Sequence, residues 1–184
     1  LIKIIFNAQE KPLFSFDSCR FINNTIKENC YSSIGPTPHF WIQNPFEGND
    51  MKELTLTFEN CEFENNHAPD GGALFYGKNW YSSNIKLSLK NCKFDSNSAS
   101  NGASAISVHI YQGIEIDNCN FTSHKSEGSS GTIVIETDFQ CLDDSNGNNE
   151  WYPAPQTRNP IISITNCIIE NSERTAGHEI STMN

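Results

Sequence analysis

No apolar run in this chain of 184 residues approaches the roughly 20 residues that a helical membrane span requires. Cations are scarce: 12 Lys and Arg stand against 22 Asp and Glu, a formal charge of −10. A surface of that sign repels phosphate backbones and argues against nucleic acid as a partner. Apolar residues are few as well, 36% of the chain with a mean hydropathy of −0.50. That is low for a globule and suits a thin stack with much surface. The spacings CxxC and HxxxH are missing, and so is a Gly-Gly-x-Gly-x-Asp calcium repeat; we expect no metal and no cofactor. Catalytic motifs are missing too. Asp143-Asp144 is the only adjacent acidic pair, and it sits in a Ser/Asn/Gly-rich stretch that reads as a solvated loop. Glycoside hydrolysis needs converging carboxylates, whereas the five histidines (His39, His67, His109, His124, His178) share no repeat position. Asn-Thr-Asp and Arg-Ile-Lys runs of the polygalacturonase kind are absent, so no catalytic residue is assigned and a pectin-lyase-like enzyme ranks last among the readings. The first residue is Leu1 rather than Met, which reads as a processed or excised segment. Residues 1–6 are too short for a signal peptide's apolar core and cleavage site and read as a strand.

What the chain does have is a repeat. Leu87-Ser88-Leu89-Lys90-Asn91-Cys92-Lys93-Phe94 has relatives in Leu56 to Phe63, Ile114 to Phe121 and Ile162 to Ile169, with a weaker copy in Phe14 to Phe21. Five copies in so short a chain mean a stacked array. Leu87 and Leu89 alternate on a period of two, and so do Cys92 and Phe94, but the two sets are out of phase by one residue. The chain must bend between them. Asn91 stands at the break, and asparagine tolerates the left-handed backbone that such a bend needs. After a polar turn, Gly-Gly or Gly-Ala leads into a third strand, as at Gly71-Gly72-Ala73-Leu74, Gly102-Ala103 and Gly131-Thr132-Ile133. Three short strands per coil, each buried on one face, predict an all-β fold: a parallel β-helix (solenoid) of about five to six coils forming a single domain over residues 1–184.

Stacked strands lie about 4.7–4.9 Å apart, so equivalent residues superpose. Asn60, Asn91, Asn118 and Asn166 are expected to form an inward amide ladder, each bond worth roughly 1 kcal/mol. Phe21, Phe63, Phe94 and Phe121 are expected to stack inside with Ile169 closing the column, each burial contributing about 1.5–3 kcal/mol. Cys19, Cys61, Cys92, Cys119 and Cys167 share one repeat position and read as small inward thiols. Side chains pointing in parallel are poorly set for a disulfide dihedral. Cys30 and Cys141 lie off this column, and nothing in the sequence pairs them.

The extra length between coils falls mainly at one corner, in long insertions at 35–53 and 138–160 and a loop at 77–84. These carry Phe40, Trp41, Trp80, Tyr81, Trp151 and Tyr152. Loops on a rigid scaffold are where binding residues gather, and aromatic rings suit sugars or a protein partner. The competing reading is that these rings fold back as small clusters anchoring their own loops. Asn23-Asn24-Thr25 and Asn120-Phe121-Thr122 are N-glycosylation sequons. Asn120 alternates outward.

With the asparagine bend, the Phe-x-x-Asn runs (Phe21 to Asn24, Phe63 to Asn66, Phe94 to Asn97) and Gly71-Gly72-Ala73-Leu74 in hand, the chain resembles the polymorphic outer membrane protein (Pmp-like) repeat family over residues 14–180. His124 and Ser172 depart from the motif's asparagine, and Gly102-Ala103-Ser104, Gly131-Thr132-Ile133 and Ala176-Gly177-His178 depart from its glycine run. The resemblance implies a right-handed parallel β-helix on a cell surface, often linked to adhesion. No capping helix shows at either end, and solenoids need caps. The expectation is therefore a segment of a longer solenoid or a unit that stacks end to end into a fibril. It would act as a non-enzymatic extracellular structural or adhesive module, its partners being its own copies or flanking coils, glycans or cell-surface proteins. A carbohydrate-binding module using the Trp/Tyr loops is the alternative.

Overall fold

The computed structural model describes residues 13–26, 54–69, 71–76, 85–109, 113–128, 131–136, 139–143, 149–153, 161–174 and 180–183. Among them every regular element is a strand. A first pass gives β1 (Leu13–Asp17) and β2 (Arg20–Ile22). A second gives β3 (Leu54–Glu59), β4 (Glu62–Glu64), β5 (His67–Ala68) and β6 (Leu74–Tyr76). The third is β7 (Ile85–Lys90), β8 (Lys93–Asp95), β9 (Ser98–Ala99) and β10 (Ile106–His109). The fourth is β11 (Gly113–Asp117), β12 (Asn120–Thr122), β13 (Lys125–Ser126) and β14 (Ile133–Glu136). After a hairpin of β15 (Phe139–Asp143) and β16 (Asn149–Pro153), the last pass runs through β17 (Ile161–Thr165), β18 (Ile168–Glu170), β19 (Glu173–Arg174) and β20 (Ile180–Met183).

Each pass visits the same sheets in the same order. The first sheet is β1-β3-β7-β11-β17, the second β2-β4-β8-β12-β18, the third β5-β9-β13-β19 and the fourth β6-β10-β14-β20. All pairings within them are parallel. The expected three strands per coil thus become four. The physical reason is a second bend. Left-handed backbone occurs not only at Ser18, Asn60, Asn91, Asn118 and Asn166 but also at Asn23, Asn65, Ser96, Ser123 and Asn171, all with φ between 52° and 57°. Each such residue shifts the in-out alternation by one, so a long pleated strand becomes three short ones meeting at angles.

The bends do not interrupt the backbone bonding. Asn60, Asn91 and Asn118 donate their N–H to Lys90, Asp117 and Thr165 of the following pass at 3.0 Å. The residue after each cysteine donates back: Lys93 to the Cys61 carbonyl at 2.9 Å and Asn120 to that of Cys92 at 3.0 Å. Corner backbone that would otherwise be orphaned is satisfied along the stack. Gly72 leads into the fourth sheet where a Cβ would collide with the carbonyls of Ser98 and Ser104, so no larger residue fits between these passes.

Inside, like residues meet. Phe63 and Phe94 stack with centroids 4.5 Å apart, Phe94 and Phe121 at 4.6 Å, Phe21 and Phe63 at 5.0 Å. Ile169 pairs with Phe121 at the end of that column. A second aromatic pair, Phe16 and Phe58 at 5.0 Å, starts a column that continues through Leu89, Ile116 and Ile164. Each burial of this size contributes about 1.5–3 kcal/mol.

The asparagine column at the first bend differs from its expectation. Asn60, Asn91, Asn118 and Asn166 are exposed, not inward. A left-handed residue at a convex corner points its side chain out. The amides still bond along the stack: Asn118 Nδ2 donates to Asn91 Oδ1 at 2.8 Å, and Asn91 Nδ2 to Asn60 Oδ1 at 3.3 Å. The inward amides belong to the Phe-x-x-Asn motif. Asn66 and Asn97 are fully buried. Asn97 Oδ1 accepts from both the N–H and the Nδ2 of Asn66, at 3.0 and 2.9 Å, while Asn97 Nδ2 donates to the Phe63 carbonyl at 2.9 Å. Asn24 bonds to Asn66 in the same way. In the fourth pass His124 takes the position, its Nδ1 accepting from the Asn97 N–H at 3.2 Å.

Asn97→Ala leaves buried groups of Asn66 and Phe63 without partners, at about 1–3 kcal/mol each. Asn91→Ala gives up two exposed bonds, to Asn60 and from Asn118, whose groups turn to water instead, and places alanine, without asparagine's local bonding, in left-handed backbone at about 1–2 kcal/mol. Urea unfolding should therefore rank stability as parent, then Asn91→Ala, then Asn97→Ala. Equal losses for the two variants would refute the distinction between outer and inner columns.

Candidate functional site

Three connections between described strands leave one sheet and enter another. Residues 77–84 join β6 to β7, 110–112 join β10 to β11, and 137–160 join β14 to β17, always from the fourth sheet to the first. Stacked strands therefore place these connections along one edge. Phe40, Trp41, Trp80 and Tyr81, and with them the insertion 35–53, Cys30 and the strand expected at 1–6, lie outside the described residues. Trp151 and Tyr152 stand on β16, which pairs antiparallel with β15 so that Trp151 faces Cys141 and Tyr152 faces Gln140 in register. The insertion 138–160 is thus not a plain loop, and Asp143 belongs to a strand rather than to a solvated turn. Asn146-Gly147 between the two runs is the kind of dipeptide that marks a hairpin, a signal that the reading of 138–160 as a loop passed over.

The outer face carries polar columns. Arg20 Nε donates to Glu62 Oε2 at 2.7 Å, Lys93 Nζ lies 3.1 Å from Asp95 Oδ2, and Lys86 and Lys90 approach Glu115 at 3.8 and 3.7 Å. Exposed pairs of this kind stabilise little. Asp17 is held below the ordinary carboxylate range by the Asn60 amide at 2.9 Å and then by the Ser18 hydroxyl at 3.1 Å. Asp117 is lowered by the Thr165 hydroxyl at 2.7 Å and the Asn166 amide at 2.8 Å. For Asp95 partial burial pushes upward, but Lys93, Thr122 and Ser96 outweigh it. These carboxylates are committed to neighbours across or within passes, and no catalytic pair converges among them. Among the described residues no three His, Cys, Asp or Glu gather where they hold a metal.

The cysteine column lies at the inner side of the first bend. Cys19, Cys61, Cys92, Cys119 and Cys167 are free thiols. Each Sγ donates to the carbonyl two residues earlier, from 3.1 Å at Cys167 to 3.4 Å at Cys119. For Cys61, Cys92, Cys119 and Cys167 the carbonyl reached is the one that also accepts a backbone N–H from the preceding pass, which gives a small residue with a weak donor a reason to recur. Burial raises the Cys61 thiol to about 11. Bonding to Cys92, and then burial, raises Cys119.

The two sequons occupy different surroundings. Asn23 is exposed on the second bend at φ 56°. Asn120 is half-buried in β12, between Lys93 and Ile168 in register, and its Oδ1 is buried without a hydrogen-bond partner. Comparison of the chain with family models, curated proteins and solved structures finds no match.

Two measurements follow from these groups. A carboxylate whose folded pKa is depressed contributes stability above its unfolded value of about 3.9, and that contribution is lost as pH falls through the lower folded value. Stability should hold near neutrality and decline below about pH 4. Asp117→Asn keeps an acceptor oxygen and removes the titration, so its decline should be shallower; a decline as steep as the parent's counts against the assignment. In the native protein an aromatic disulfide reagent should label the half-buried Cys19 and Cys167 before the buried Cys61, Cys92 and Cys119, which become reactive on unfolding. Mapping the labelled peptides checks the order.

Proposed function

We propose that this chain is a segment of a right-handed parallel β-helix of the kind the Pmp-like repeats resemble, acting outside the cell as a non-enzymatic structural or adhesive module. The observation that carries this reading is the repetition itself: five passes in one register, with the connections after β6, β10 and β14 all running from the fourth sheet to the first. Such a scaffold is stiff because each pass is bonded to its neighbours through strands and bends alike, and stiffness is what a display module requires. Among the described residues the buried side chains are mostly phenylalanine, aliphatic residues, alanine, cysteine and amide, with His124 and a few hydroxyls and no Asp or Glu. A strongly acidic, polar outer face keeps such a rod soluble and apart from other anionic surfaces. Contact with a partner then falls to the connections, where the sequence concentrates its tryptophans.

Carbohydrate recognition is the second reading, favoured by Trp151 and Tyr152 standing on a paired strand rather than on an irregular loop. Ring faces held by a strand suit stacking on sugars.

Beads coated with the protein should adhere to cell surfaces, and replacing residues 138–160 by a short Gly/Ser linker should reduce adhesion severalfold while the far-ultraviolet spectrum stays that of a β protein. Adhesion indifferent to that replacement and to loss of the 77–84 loop would sink the display reading. A shift of tryptophan fluorescence with particular glycans, abolished by Trp151→Ala, would select the carbohydrate alternative.

A further inference from the structure

The chain carries the Asn-x-Thr sequon twice, and the fold treats the two copies differently. In the first, Asn23 and Thr25 are both exposed at the second bend, while Asn24 between them bonds to Asn66 Oδ1 through its N–H and its Nδ2. In the second the acceptor lies on a strand. Asn120 is half-buried with its Oδ1 covered, flanked in register by Lys93 and Ile168, and the Thr122 hydroxyl donates to Asp95 Oδ1 at 3.0 Å.

The exposure of Asn23 belongs to the corner and not to its pass. Register carries on through the bend, from Ile22 against Glu64 to Thr25 against His67, so Asn23 stands beside Asn65. The same steps lead on to Ser96, Ser123 and Asn171. All five are in left-handed backbone and all five are exposed, those of the interior passes included. The column is short and polar throughout, so a bulky group projecting from one member meets no large side chain within it. Two positions further on the residues are Thr25, His67, Ser98, Lys125 and Glu173. Of the five corners only Asn23 therefore combines an asparagine with a hydroxyl two residues later. This corner lies between the second and third sheets, whereas the connections after β6, β10 and β14 run from the fourth to the first. Two sheets separate them whichever way a pass is followed.

We infer that Asn23 is a site of N-glycosylation and that Asn120 is not. The inference rests on the extracellular reading above, since the transfer needs a secretory membrane that carries oligosaccharide on a lipid diphosphate. The Asn23 side-chain nitrogen attacks the anomeric carbon of that oligosaccharide. An N-glycosidic bond forms and the carbon–oxygen bond to the diphosphate breaks; the nitrogen loses one proton and the lipid diphosphate leaves with the bonding pair. A glycan is bulky and hydrated and needs a surface position. On the convex corner it extends into water, and the backbone bond from Asn23 to the Glu64 carbonyl stays in place. From Asn120 it would have to emerge between residues of adjoining passes only about 4.7–4.9 Å away. A glycan on the second bend also leaves the connections at the far edge open to a partner.

Expression of the full chain behind a cleavable secretion signal in cultured animal cells tests this. Protein is recovered from both medium and cells, and its glycans are removed with an amidase that leaves aspartate in place of each glycosylated asparagine. Peptide masses should show that conversion at Asn23 in most chains and none at Asn120. Thr25→Ala should abolish the modification and Thr25→Ser should keep it, neither changing the circular dichroism because Thr25 is exposed. Ser96→Asn turns the equivalent corner of an interior pass into a sequon with Ser98, and should add a second glycan while the β spectrum is kept. A chain with a β spectrum and an unmodified Asn23 overturns the inference and leaves the display reading standing. So does a glycan on Asn120 of such a chain, or a Ser96→Asn chain that gains none. A chain glycosylated at Asn23 that mediates no adhesion overturns the display reading alone, and a chain without a β spectrum overturns both.

Discussion

The structure depends on backbone hydrogen bonds that continue through the corners. A short strand of three residues has little to hold it, and a two-residue strand such as His67–Ala68 has less. What fixes them is that the left-handed residues between them also bond to the neighbouring pass, so each pass is tied down over almost its whole described length. A left-handed residue in isolation costs about 1–2 kcal/mol. Here the same conformation recurs at each level, and the backbone bond it permits at each bend, about 0.5–1.5 kcal/mol net, offsets a cost of that same order.

Register, once set by the corners, decides the interior. Because every pass bends at equivalent points, one inward position is always flanked by its own kind, and the sequence can repeat a phenylalanine, a thiol or an amide as a column. The amide column has a further property. Asn66 and Asn97 spend their side chains on neighbouring backbone as well as on each other, so a register slip breaks several buried bonds at once. Apolar columns tolerate a slip better, since Phe16, Phe58 and Leu89 already succeed one another in one column. The amides and the bends therefore confer specificity, while the phenylalanines and aliphatic residues supply most of the driving force.

How far the sequence discloses this is uneven, for physical reasons. The break in alternation at Asn91 is visible because large apolar residues flank it on both sides. The second bend at Ser96 is hidden because the residues after it, Asn97 and Ala99, are polar or small, and inward positions occupied by them resemble a turn. The same ambiguity exchanged the roles of the asparagines. Asn91 sits beside the cysteine column and reads as interior, whereas a convex left-handed corner turns it outward and leaves Asn97 to be buried. In the insertion 138–160, polar turn residues dominate the composition and mask the pairing of Phe139–Asp143 with Asn149–Pro153. The crowding of aromatic residues into the connections is legible at once, because it is a matter of composition.

The division of labour between pass and connection bears on what such a molecule does. Within a pass nearly every position is constrained: inward ones by the column, corner ones by φ, and many outward ones by cross-pass pairs such as Arg20 with Glu62 or Thr122 with Asp95. A substitution there must suit two neighbours above and below, which leaves little room for the surface to adapt to a ligand. The connections from the fourth sheet to the first escape that constraint, since their ends alone are fixed. Residues 110–112 show how short such a link is when it carries nothing, with Gly113 lying so close beneath Ile161 that a Cβ would meet its carbonyl oxygen at 2.6 Å. Links of eight residues at 77–84 and of two dozen at 137–160 are therefore not required for closure. Their length, their tryptophans and their shared edge argue that they, and not the regular faces, are where this scaffold meets other molecules.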